Sequence, residues 1–77
     1  MKVRHSRDEW KRLHSKWLAA DTLASKLERE MMTALRLSVE SRAEPPTHEL
    51  IEALTQARGH AVVCRNALDF FVDELLR

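Results

Sequence analysis

Ser41-Arg42-Ala43-Glu44-Pro45-Pro46-Thr47 decides the fold, because its two prolines are the only prolines in a chain of 77 residues. A proline has no backbone N–H to give to a helix, and it disfavours the α conformation for the residue before it. Either side of this stretch the sequence is rich in Leu, Ala, Glu and Arg, with one glycine and no tyrosine. That composition belongs to the all-α class. The reading is an antiparallel two-helix hairpin in one domain, 1–77, with a first helix over about 7–42, a Pro-Pro turn over 43–47 and a second helix over about 48–76. The second helix can start with a proline in its first turn or be capped by Thr47, and the sequence leaves both open.

Working back from the turn, Trp10, Leu13, Trp17, Ala20, Ala24, Leu27, Met31 and Ala34 recur at alternating spacings of 3 and 4. This lines one face of a helix, a coiled-coil-like seam that Leu23, Met32 and Leu35 broaden. Ser6-Arg7-Asp8-Glu9 has the form of a capping box and predicts the helix start there, with Met1 to His5 frayed before it. Forward from the turn, Leu50, Leu54, Ala57, Ala61, Cys64, Leu68, Phe71 and Leu75 repeat the same alternation. Two matched seams predict helices packed at a shallow angle, as in bundles. Gly59 within the second run suggests the close approach of another backbone.

Folding about residues 45 and 46 pairs positions whose numbers sum to roughly 91. This register sets Leu27 near Cys64 and Trp17 near Glu74 and Leu75. Helix 1 then overhangs by about 7 residues, near 10 Å, leaving Trp10 and Leu13 uncovered with much of the basic cluster. A second apolar row, Val63, Ala67 and Phe70, lies off the second seam with Gly59 one turn earlier. Two facing helices need one stripe each, so the extra row calls for another helix or a partner protein. The expectation is a homodimer forming a four-helix bundle, with Trp10, Leu13, Trp17, Gly59, Val63, Ala67 and Phe70 as interaction residues.

Thirteen Lys and Arg against twelve Asp and Glu give a net charge of +1, so no strong overall field steers the molecule to nucleic acid. Residues 1–17 nevertheless carry six basic and two acidic side chains, a local +4, and the rest of the chain therefore carries −3. Arg7, Lys11 and Arg12 are the candidate anion contacts, although on a helical wheel the basic residues spread instead of forming one stripe. A lone cysteine, Cys64, excludes an intrachain disulfide and suits a reducing compartment. The longest apolar runs are four residues, far short of a membrane span. The expected location is cytoplasmic.

Catalytic chemistry is hard to build from these residues. His60 and Cys64 share a helical face at i and i+4, but two ligands make half a zinc site, and the preferred reading is a core cysteine beside an ordinary histidine. Glu-x-x-His of the di-iron bundles is absent, and His48-Glu49 with Glu52 lacks the second histidine of a metalloprotease helix. One glycine permits no phosphate-binding loop. The sequence therefore predicts no enzyme activity, no catalytic residue, no cofactor, no metal and no small-molecule substrate. It predicts a non-catalytic protein–protein interaction module of adaptor, regulator or co-chaperone type with a helical protein partner. The alternative is a small adaptor that binds nucleic acid or an anionic membrane surface through the basic end of helix 1.

Overall fold

The computed structural model describes residues 3–41 and 44–76, with side chains from Ser6 onward. Two helices make up the fold: α1, Val3–Ser41, and α2, His48–Leu76. They pack against each other as an all-α helical hairpin. At 1.5 Å per residue the 39 residues of α1 span about 58 Å, and the molecule measures 59 × 17 × 14 Å. Its length is therefore that of α1, and its thickness that of a helix pair.

The break falls where the prolines require it. Glu44, Pro45, Pro46 and Thr47 form a non-helical connector. Thr47 then caps α2: its Oγ1 accepts from the Leu50 amide at 3.2 Å and its carbonyl oxygen accepts from the Ile51 amide at 3.1 Å. This settles the choice between proline and threonine at the start of α2 in favour of the threonine. Glu49 in the first turn complements the positive end of the helix dipole. Thr47→Ala is expected to lower stability by about 1 kcal/mol, read as a lower urea midpoint with an unchanged slope.

The start of α1 differs from the expected one. The helix runs through Ser6 and begins at Val3, since no residue in Val3-Arg4-His5 breaks it; Met1 and Lys2 lie outside the described residues. The Glu9 carboxylate is bound by both Nη2 and Nε of Arg12, the latter at 3.2 Å. That hydrogen bonding, aided by the charges of Arg12 and Lys16, holds the Glu9 carboxyl below the ordinary carboxylate range.

Both predicted seams meet. Ala20, Ala24, Leu54, Ala57, Ala61, Cys64 and Leu68 are buried, and Trp17 and Leu27 pack against the alanine cluster at the centre. The small side chains let the two helices approach closely, at the cost of a thin core in which no large side chain is fully enclosed among the described residues. Leu23, Met32 and Leu35, expected to broaden the seam, are exposed. One facing helix covers only a narrow stripe.

Gly59 lies on the exposed outer side of α2, and a Cβ built there meets nothing within 4 Å. Among the described residues no backbone approaches it, so the packing reason expected for this glycine is not found within the hairpin. Gly59→Ala should therefore raise stability by about 1 kcal/mol, a gain of roughly 4–8 °C in melting temperature for a domain of this size. A loss instead of a gain would mean that a second chain lies against the glycine.

Candidate interaction surface

The register between the helices is shifted from the expected one. Arg58 Nη2 lies 3.0 Å from Glu28 Oε1, and the Arg65 guanidinium sits 5.2 Å from the centre of the Trp17 ring. The numbers in these pairs sum to 86 and 82, well short of 91. On this register Leu76 reaches the level of about residues 6 to 10 of α1, so Leu13 is not stranded beyond α2 as expected, and what projects at that end is only the start of α1 from Val3. The projection moves to the other end, where His48 lies level with about residues 34 to 38 and the end of α1 rises beyond α2. The cause is the connector. Proline holds Glu44 extended and fixes its own φ, so the chain returns through several residues and not at a point, and the alanine seam then selects where the helices interlock.

This shift changes what surrounds each candidate residue. Leu13 joins Val63, Cys64 and Ala67 in the floor of an interhelical groove of about 210 Å³. The side chains of Arg12, Lys16 and His60 complete its lining, with Arg12 bound to the Glu9 carboxylate. The groove thus brings together residues from both apolar features of the sequence, the end of helix 1 and the second row of helix 2. Val63 and Phe70 remain 64% and 68% exposed on the outer face of α2, where they extend the groove floor into an apolar row.

The tryptophans lie along the other long edge. Trp10 stacks on His14 at 4.7 Å between ring centres and 12° between planes, and His14 meets Trp17 at 5.7 Å. Arg65 covers Trp17 and bonds Asp69 through Nε at 3.2 Å. A ladder of rings and charges therefore ties α1 to α2 along this side, with cation–π attraction favouring the arginine over the indole. Trp10, at 40% exposure, ends the ladder and is partly available, whereas Trp17 is engaged within the chain. The spacing of residues 10, 14 and 17 was a legible i, i+4, i+7 signal for this ladder.

The three candidate anion contacts do not converge. Arg12 stands at the groove, bound to Glu9. Arg7 and Lys11 are exposed and fall about 100° or more from Arg12 around α1 at 100° per residue. His60 Nε2 lies 3.7 Å from Cys64 Sγ, and among the described residues no group of three His, Cys, Asp or Glu side chains is placed to hold a metal ion. Near the turn, Met32, Leu35, Leu37, Val39 and Ile51 are exposed apolar residues that seam periodicity did not single out as surface. Among the described residues no helix is long and apolar enough to cross a membrane.

Fold and surface together define an all-α helical hairpin with one aromatic edge and one grooved edge. Comparison with protein-family models, with curated proteins and with solved structures finds no match for the chain.

Proposed function

We propose that the chain is a non-catalytic protein–protein interaction module: a helical hairpin that forms a homodimer in a four-helix bundle and offers its remaining helical surfaces to a helical protein partner, as adaptors, regulators and co-chaperones do. The observation that carries this reading is the apolar row Val63, Ala67 and Phe70, exposed on α2 and continuous with the groove against Leu13. A thin alanine seam gives a chain of this size little net stability, and an exposed apolar row beside it is the surface a second helix pair covers. The lone Cys64 suits a reducing compartment such as the cytoplasm. Light scattering at micromolar concentration tests the reading. The expected mass is twice the 9.0 kDa of one chain, and a monodisperse, cooperatively melting monomer contradicts it.

The nucleic-acid or membrane reading draws less support, because Arg12 is bound to Glu9 while Arg7 and Lys11 face elsewhere. It requires binding that weakens steeply with salt and disappears when Arg7, Lys11 and Arg12 are neutralised together.

A further inference from the structure

Arg7 and Lys11 turn away from Arg12, and the rest of α1 shows what they turn toward. Among the described residues, Arg7, Lys11, Lys16, Lys26, Arg29 and Arg36 are the Lys and Arg side chains that take part in no ion pair. Eighteen residues separate Lys11 from Arg29, five full helical turns, so the two lie in line along α1. Arg7, Lys26 and Arg36 fall within about 60° of that line at 100° per residue; Lys16 alone lies elsewhere. The line follows the solvent side of α1, turned away from the buried Ala20 and Ala24, and all five side chains on it are exposed. It is a basic ridge about 43 Å long from Arg7 to Arg36.

The other cations are neutralised where they stand. Arg12, Arg58 and Arg65 bond Glu9, Glu28 and Asp69. The acids within the arc of the ridge are Asp8 and Glu40, one toward each end, so five bases against two acids leave it at +3. A face that serves solubility alone interleaves the two signs. The net charge of +1 does not cancel the ridge at contact, because fields are screened over about 8 Å at physiological salt and the molecule is 17 × 14 Å in section.

The other residues of the ridge select the anion. Ser15, Thr22 and Thr33 are exposed in the same arc, and such hydroxyls meet phosphate oxygens. Leu18 is the one large apolar side chain there, whereas a helix held on a membrane surface needs an apolar face to bury. No aromatic ring lies in the arc to serve as the stacking platform that single strands use. Between Lys11 and Lys26 the ridge carries no charge over 15 residues, about 22 Å. That gap lets its two basic groups reach phosphates on either side of a major groove about 12 Å wide.

We infer that the outer face of α1 binds the phosphate backbone of duplex DNA without reading its sequence, with Arg7 and Lys11 on one strand and Lys26, Arg29 and Arg36 on the other. The contact needs residues far beyond the basic end of α1. It leaves the seam and the groove free, so it does not depend on the homodimer reading.

Anisotropy of a short labelled DNA duplex, titrated with the full chain between 50 and 200 mM NaCl, tests the inference. Half-saturation is expected at about 1–100 µM near physiological salt, with a slope of log affinity against log salt of about −4. Lys26→Gln, Arg29→Gln and Arg36→Gln together are expected to weaken binding about tenfold or more and to flatten the slope by about 3. Helicity and melting temperature should persist, because all three side chains are exposed. Arg29→Lys with Arg36→Lys keeps the charges and is expected to stay within about threefold of wild type. Lys16→Gln, off the ridge, is expected to change nothing. Binding that survives the triple neutralisation, or that Lys16→Gln weakens as much, overturns the assignment. So does binding to phosphatidylserine vesicles with none to the duplex, or no duplex binding at about 100 µM chain in 50 mM NaCl.

Discussion

Leu54→Ala is expected to cost about 2–5 kcal/mol, a large loss for so small a chain. Leu54 is buried in the second turn of α2 and is, among the described residues, one of two buried leucines in an otherwise small-residue core of alanines and a cysteine. With so few large side chains enclosed, the neighbours have little bulk with which to refill the space. A domain of this size has only a few kcal/mol to lose. The variant should therefore be largely unfolded at low micromolar concentration and regain helicity when concentrated, if association adds the missing burial. Circular dichroism at 222 nm over a concentration series checks this, and a native-like melt for Leu54→Ala would show that the seam is not the source of stability.

Pro45→Ala with Pro46→Ala is expected to have the second large effect, on shape and not on helix content. The double variant removes both residues that cannot sit within a helix, and its flanks are helix formers. Thr47 would still favour a start at His48 through its cap, but that preference is worth only about 1 kcal/mol, against roughly 3 kcal/mol for each proline removed from a helix interior. A continuous helix through the former turn cannot fold its two seams onto each other. It must pair them with those of another chain, a domain-swapped antiparallel dimer about 110 Å long at the helical rise. Small-angle scattering distinguishes this rod from the 59 Å hairpin. A maximum dimension unchanged from wild type would show that the turn is fixed by seam packing and not by the prolines.

Much of this architecture was legible in the sequence. Pro45 and Pro46 located the break, and the 3–4 alternation found the residues that are buried, from Ala20 and Ala24 to Leu68. The register was not legible, because periodicity says which face is apolar but not how far one helix slides along the other. That slide depends on how the alanines interlock and how much chain the connector consumes, both three-dimensional quantities. One consequence followed through the whole surface. Leu13, expected to be stranded beyond α2, instead lines a groove with Val63 and Ala67. Trp17 gained Arg65 as its cover, and the projecting end moved to the turn, where Val39 is 82% exposed. The start of α1 was misplaced for a different reason. A capping box is a local preference worth about 1 kcal/mol, and a helix continues through it when nothing upstream stops it.

We propose that this thin hairpin completes its fold by pairing with its own copy. The melting temperature of the wild-type chain at 1 µM and at 100 µM tests it most directly. Folded dimers that unfold to separate chains melt higher when concentrated, so the account predicts a midpoint several degrees higher at 100 µM. A midpoint identical at the two concentrations, with the same cooperative transition, would contradict it.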